Sequence, residues 1–326
     1  MTTDSEARAS HALHAAQLYY VQERSMDQIA DEMAVSRSSV SRLLAHARDT
    51  GLVEITVHSP QEAGSVVARR LAERYGISVH VVSSPARSTD AERLGRTARA
   101  AAHLLSSSLD LNASIGVAWG VTVSAIARHL PTKRVYNSEV GQMNGAANES
   151  TSGISYSGAI LERFSQAFGA DVQQFPVPAL FDDPHTKQLL WRERSIRRVL
   201  DAQAHVQVFV FGLGSPQADV PSHVYAGDYL SGEDLRTLVR DGVAGDCATV
   251  FYRIDGSTDG IQINERSSGP GFDVIRRIPR RLCAVSSPSK LGALRGALAA
   301  SLITELVVEE TLARRLLEVS SSASGR

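Results

Sequence analysis

From residue 77 onward, short apolar runs alternate with segments of helical period, and this alternation constrains the chain more than any other feature. Extended runs are predicted over 79–82, 114–118, 134–140, 206–211, 282–285 and 303–308. Helical patterns lie between and after them, over 89–106, 123–130, 158–168, 185–200, 290–300 and 309–318. Strand and helix in turn imply an α/β fold, a mostly parallel sheet with helices on both faces. A chain of 326 residues has room for about two domains. Its 43% hydrophobic and 21% charged content supplies a sizeable core and excludes extensive disorder. The longest uncharged stretch, 111–127, carries Asn, Ser, Thr and Gly, so it reads as strand and loop rather than a membrane span. Residues 1–10 mix Asp4, Glu6 and Arg8 with no apolar run, so no signal peptide is expected and the location expected is cytoplasmic. Cys247 and Cys283 are too few for a disulfide framework or a four-thiolate zinc site, and they read as small apolar fillers.

Residues 10–58 have a different texture, with short helical periods and few glycines. Residues 11–22 carry Leu13, Leu18 and Val21 on one side of a first helix. Ser25 and Gln28 have capping-box spacing, and Met26, Ile29, Ala30 and Met33 mark the buried face of the helix they open. Ser36 is the expected N-cap of a third helix over 37–48, with Val40, Leu43 and Leu44 inward, and 51–57 alternates as a strand does. Helix, tight turn, helix and strand make the pattern of a winged helix-turn-helix. The outer face of the third helix offers Arg37, Ser38, Ser39, Ser41, Arg42 and His46, with no acidic residue between Ser36 and Arg48. Arginine reads guanine bidentately, and Ser or Arg binds phosphate, so double-stranded DNA is the expected partner of this face. The net charge of −1 excludes a chain that coats nucleic acid along its whole surface. The domain boundary is expected at 59/60, with 60–76 a helical connector.

Four loops after predicted strands carry groups suited to a small polar ligand. Gly120 and Thr122 precede a helix whose free N–H groups face an anion or hydroxyl. Asn144 and Gly145 follow the third run, where the simpler reading is an Asn-Gly turn. Phe211-Gly212-Leu213-Gly214-Ser215 lacks the third glycine of a dinucleotide fingerprint. Lys290 closes Ser286-Ser287-Pro288-Ser289 at a helix start, where a cation opposes the dipole and needs another reason to be there. It is one of three lysines among 34 basic residues. Open parallel sheets bind ligands beyond the carboxyl ends of their strands, which brings such loops together.

Gln28-Ile29-Ala30, then Val35 through Leu44, Ala47-Arg48 and Gly51-Leu52-Val53 closely resemble the start of SorC-type sugar-responsive bacterial transcriptional regulators. Ala118-Trp119-Gly120-Val121-Thr122, similar to the family's Gly-Trp-Gly-x-Thr loop, the glycine-rich third-strand loop, Gly-Leu-Gly-Ser, and Lys290 with Ala293, Gly296, Ala297 and Leu298 extend the resemblance over nearly the whole chain. It implies a sugar-isomerase-like, Rossmann-type effector domain that binds a sugar, sugar alcohol or sugar phosphate, with no cofactor and no metal. It also implies a homo-oligomer, dimer or tetramer, and an acidic ligand-binding position matched here by Asp246. Two departures stand out. Ala34 occupies a turn position where such proteins usually have Gly, and a positive φ there costs Ala on the order of 1 kcal/mol. Asn144 stands where several phosphate-binding relatives carry Arg, which leaves a neutral sugar as open as a phosphate.

The expected function is thus a DNA-binding regulator controlled by a sugar bound at Gly120, Thr122, Asn144, Gly145, Asp246 and Lys290. A sugar-phosphate isomerase-like enzyme is the alternative, with Asp246 and Lys290 as an acid–base pair. Against it, the chain carries no Gly-x-Ser-x-Gly elbow, P-loop or His-Glu-x-x-His motif. His11 and His14 lack a third ligand and read as surface residues.

Overall fold

A computed structural model describes residues 2–22, 24–53, 66–85, 87–218 and 222–322. The chain divides into two compact units, Met1–Pro60 and Gln61–Arg326.

In the first unit, α1 (Thr2–Ala16) runs into a wider π-type turn at Gln17–Val21, followed by α2 (Met26–Glu32) and α3 (Arg37–Asp49). Both expected caps form. Ser25 Oγ accepts from the Gln28 N–H at 3.3 Å while Gln28 Oε1 accepts from the Ser25 N–H at 2.9 Å, and Ser36 Oγ accepts from the Ser39 N–H at 3.1 Å. The buried face of α1 differs from the one expected. Leu18 is buried, but Leu13 and Val21 are exposed, and Ala12, Ala15 and Ala16 face inward beside Ile29, Val40, Leu44 and Ala47. Alanines let α1 approach α3 closely, and the wider turn rotates Leu18 and Val21 relative to the α1 face. α2 ends in a Schellman arrangement: the Val35 N–H donates to the Ala30 carbonyl at 2.9 Å and the Ala34 N–H to the Asp31 carbonyl at 3.3 Å. Ala34 sits there at φ 53°. Most of the expected wing strand, 54–57, lies outside the described residues, as does the first part of the connector.

The connector's described part is α4 (Val66–Tyr75), ending at Gly76. Seven strands then form one parallel sheet: β1 (Ser78–Val82), β2 (Ser114–Val117), β3 (Glu139–Gln142), β4 (Asp171–Gln173), β5 (Val208–Phe211), β8 (Arg280–Val285) and β9 (Glu305–Glu309), in the order β1-β9-β8-β5-β2-β3-β4. β5 is buried at all four positions, as a strand covered on both faces must be. Its alternate residues divide between two cores. Phe209 and Phe211 pack with Leu71 of α4 and with α13 (Leu291–Ala299) and α14 (Glu310–Ser322), while Val210 joins α5 (Asp90–Ser107), α6 (Val121–Arg128) and α7 (Ile154–Phe168). The chain leaves β2 toward β3 and β4, then returns to place β5 on the other side of β2. The strand order therefore reverses between β2 and β5, the position where open α/β sheets open a crevice.

The sequence reading of this unit needs several corrections. β3 starts at Glu139, not 134, because Asn137 turns the chain at φ 54°. The helical pattern at 185–200 is two helices, α8 (Pro184–Leu190) and α9 (Arg194–Ala204), divided where Glu193 adopts ψ 135°. β4 has only three residues and no apolar run to announce it. The short helices α10 (His223–Ala226), α11 (Gly232–Arg240) and α12 (Phe272–Arg277) add to these. An antiparallel hairpin, β6 (Val243–Cys247) and β7 (Val250–Arg253), lies between β5 and β8 in the chain. Its turn residues Ala248 and Thr249 have φ 48° and 66°. That is the sign pattern of a type I′ turn, which Asn-Gly would have signalled and Ala-Thr does not.

Candidate functional site

A cavity of about 310 Å³ opens at the strand-order reversal of the second unit. Gly120 and Thr122 after β2, Asn144 after β3, Gly212 and Gly214 after β5, and Ser286, Ser287 and Lys290 after β8 all line it. Five of the six expected ligand residues are therefore neighbours in one cavity: Gly120, Thr122, Asn144, Asp246 and Lys290. Gly145 stands behind the wall. Its N–H donates to Ser268 Oγ at 2.9 Å, its carbonyl accepts from Trp119 Nε1 at 2.6 Å, and a Cβ there would lie 2.3 Å from the Val177 carbonyl oxygen. It is a glycine because backbone passes too close for a side chain.

Gly120 has φ 144° and caps α6 with no side chain, so the first amides of α6 have no hydroxyl or carboxylate cap. An uncapped helix N-terminus carries partial positive charge and suits an oxyanion or a hydroxyl oxygen. Asp246 arrives from the hairpin. Gly214 and Asp246 exchange backbone hydrogen bonds at 2.9 and 3.2 Å, and a Cβ on Gly214 would lie 1.7 Å from Asp246 Oδ1. Only glycine leaves room for the carboxylate. Asp246 Oδ2 accepts from the Thr249 N–H at 3.3 Å, at the strained hairpin turn. Backbone held at positive φ by a β-branched residue costs of order 1–3 kcal/mol and collects at functional sites.

Asp246 is 6% exposed, and burial pushes its carboxyl up to about 6, with Tyr225, the Thr249 amide and Lys290 pulling it back down. Burial pushes the Lys290 ammonium down, opposed by Asp246 and Cys283. The lysine at this helix start has its reason in the tertiary structure: Lys290 Nζ donates to the Leu213 carbonyl at 2.7 Å and faces Asp246. Asn144 Oδ1 and Asp246 Oδ1 are buried with no hydrogen-bond partner among the described residues. Cys247 and Cys283 are buried free thiols, in keeping with filler roles.

Sequence reasoning missed one wall. Ser222, His223 and Val224, at the start of α10, line the cavity, and His223 packs against Tyr156, Tyr229 and Trp119 with ring centroids 5.0, 5.7 and 6.0 Å apart. Trp119 itself stacks on Tyr229 at 5.0 Å. No glycine, charge or repeat marks 222–226, so nothing local could have found this wall. Asp90, the first residue of α5, also lines the cavity, next to the Thr89 cap whose capping box with Glu92 opens the helix.

In the first unit, α3 presents Arg37, Ser38, Ser41 and Arg42 as exposed residues, with Ser39 and His46 half-buried. Arg42 is folded along its own helix, its Nε donating to the Ser38 carbonyl and its Nη2 to Ser39 Oγ, both at 3.3 Å. Arg37 meets Asp27 at 3.4 Å with both side chains exposed, a pair that water screens and DNA phosphate can replace. Among the described residues no group of His, Cys, Asp and Glu is placed to hold a metal, and no helix is long and apolar enough to cross a membrane.

Residues 59–318 match the family described as "Putative sugar-binding domain". The deoxyribonucleoside regulator of Bacillus subtilis is 28% identical over 310 residues, covering 94% of this chain and 96% of its own length. The sorbitol operon regulator of Klebsiella pneumoniae is 24% identical over 312 residues, covering 93% and 96%. The chain belongs to the SorC-type family of sugar-binding transcriptional regulators. A domain of a possible sugar-binding transcriptional regulator from Arthrobacter aurescens superposes on this SorC-type chain with TM-score 0.74 and 49% identity, covering 80% of this chain and all (100%) of that domain. The crystal structure of full-length SorC from Klebsiella pneumoniae shares its fold at TM-score 0.79 and 23% identity, over 94% of this chain and 97% of that one. Both comparisons agree with the α/β architecture expected from the sequence. These two curated relatives are regulators, which favours regulation over the isomerase alternative.

Proposed function

We propose that this regulator binds operator DNA through α3 and that a sugar, sugar alcohol or sugar phosphate in the β2/β5 cavity controls operator affinity. The observation that carries the reading is the convergence of four strand-end loops and the Asp246 hairpin on one cavity of about 310 Å³, a volume in the range of small-ligand pockets. The α6 amides, Thr122 and Lys290 donate to ligand oxygens, while Asp246 accepts from ligand hydroxyls. Arg37 and Arg42 read bases or phosphates, with Ser38, Ser39 and Ser41 beside them. The chain acts in the cytoplasm as a homo-oligomer, because one helix-turn-helix covers little DNA and pairing two raises affinity through effective concentration. It turns over no substrate.

The test has two steps. Thermal shift is measured with pentoses, hexoses, polyols and their phosphates, since a ligand at about a hundred times its Kd adds roughly 2.7 kcal/mol. Each stabilising compound is then added to the protein bound to a duplex selected from random sequence. A compound that stabilises the protein and changes duplex affinity supports the reading, and a differential affinity for two states is what such a shift requires. Stabilisation with no change in DNA affinity, or consumption of the compound, sinks it.

A further inference from the structure

Tyr225 lies on α10, beside the cavity-lining Ser222, His223 and Val224, yet it does not reach the cavity itself. Its ring packs edge-to-face on Phe251 of β7 with centroids 6.1 Å apart. Its hydroxyl is buried with no hydrogen-bond partner among the described residues, and the same is true of Asp246 Oδ1. A buried donor and a buried acceptor without partners are rare in folded proteins, and each needs an explanation. These two explain one another. The Asp246 carboxylate is the charged group that most perturbs the Tyr225 hydroxyl, and Tyr225 in turn favours the ionised carboxyl of Asp246. A phenol hydroxyl donates and a carboxylate oxygen accepts, so one hydrogen bond between them satisfies both atoms. Gly214, with no Cβ, provides the slot in which Oδ1 sits.

We propose that Tyr225 is a positioning residue of the ligand pocket: its hydroxyl donates to Asp246 Oδ1 and so presents Oδ2 to a hydroxyl of the bound sugar or polyol. The proposal rests on the pocket reading above. Among the described residues, Oδ2 otherwise accepts only the Thr249 N–H, at 3.3 Å, and so keeps acceptor capacity for a ligand. Tyr225 also ties the carboxylate to the pocket wall that carries His223, because the two residues share α10.

The other groups around Asp246 are Lys290 at the start of α13, Tyr252 on β7 and Cys247 on β6, with Cys283 on β8 acting on Lys290, Cys247 and Tyr252. Asp246 is raised from 3.8 to about 6, so its contribution to stability is fully present at low pH and is lost as pH rises through about 6. Removing a donor that favours the carboxylate raises the carboxyl further, which carries the loss to higher pH.

The experiment follows the thermal midpoint of the full chain against pH for wild type, Tyr225→Phe, Asp246→Asn and the double variant. Tyr225→Phe is expected to move the Asp246-dependent fall upward by about half a pH unit or more. The double variant is expected to parallel Asp246→Asn. A Tyr225 that serves only as packing lowers the midpoint equally at every pH, and parallel wild-type and Tyr225→Phe curves overturn the proposal. A second arm repeats the melts at fixed pH with D-ribose, D-fructose, D-sorbitol and D-ribose 5-phosphate. An Asp246→Asn variant that keeps the wild-type response to these compounds removes the pocket reading, and with it the positioning role. Loss of that response together with the pH displacement supports both.

Discussion

Ala34→Gly should stabilise the first unit. Ala34 holds φ 53° at the position after the α2 C-cap, where the Schellman hydrogen bonds from Ala34 and Val35 close the helix. The left-handed conformation costs an L-residue roughly 1–2 kcal/mol, and glycine pays none of it. Glycine brings its own cost, because the unfolded chain gains freedom that folding must remove, about 0.4–1 kcal/mol. Ala34 is exposed, so its methyl contributes no core packing that the change would lose. The difference is a net gain of about 0.5–1 kcal/mol. For a unit of about 60 residues, 1 kcal/mol displaces the melting midpoint by roughly 4–8 °C, so a rise of a few degrees is expected. Differential scanning calorimetry of the full chain reads it as the displacement of one transition, with the second unit's transition unchanged. Ala34→Val supplies the converse, since a β-branched residue at positive φ is worse than Ala. An Ala34→Gly midpoint equal to or below wild type would refute the reasoning, because it would mean that the turn stores no strain for glycine to release.

Gly214→Ala places a methyl 1.7 Å from Asp246 Oδ1, so the carboxylate must move; sugar-dependent thermal shift should vanish while duplex binding by the unliganded protein persists. Arg42→Ala should cost about 1–3 kcal/mol of duplex affinity if Arg42 reads a base, or reduce the salt slope by about one if it touches only phosphate. Titrations at several salt concentrations distinguish the two, and normal binding by a folded Arg37→Ala, Arg42→Ala double variant removes α3 as the reading helix. Ser25→Ala deletes the capping-box hydroxyl and should destabilise the first unit by about 1 kcal/mol in the same calorimetric scan. Light scattering should give a mass at least twice the 35.0 kDa of one chain, and a monomer with and without DNA counts against the proposed pairing.

The sequence by itself determined what depends on neighbours a few residues apart. The Ser25–Gln28 capping box, the Ser36 cap and the strained Ala34 turn all rest on spacings of three to five residues, which the chain spells out. The parallel sheet was legible for a related reason: strands buried on both faces, such as Val208–Phe211, are apolar throughout and separated by helices of readable period. Because parallel strands put their following loops at one edge, Gly120, Thr122, Asn144 and Lys290 could be gathered before any distance was known. Tertiary structure alone decided the rest. The Ala248-Thr249 turn carries no local signal, since its positive φ angles are imposed by the packing of β6 and β7 and not by residue preference. The wall at Ser222–Val224, the slot that Gly214 leaves for Asp246, and the meeting of Tyr225 with that carboxylate join residues from about 20 to more than 100 positions apart, as His223 meets Trp119. Such contacts arise from how elements pack, and packing depends on shape and burial summed over many side chains, which no short window of sequence contains.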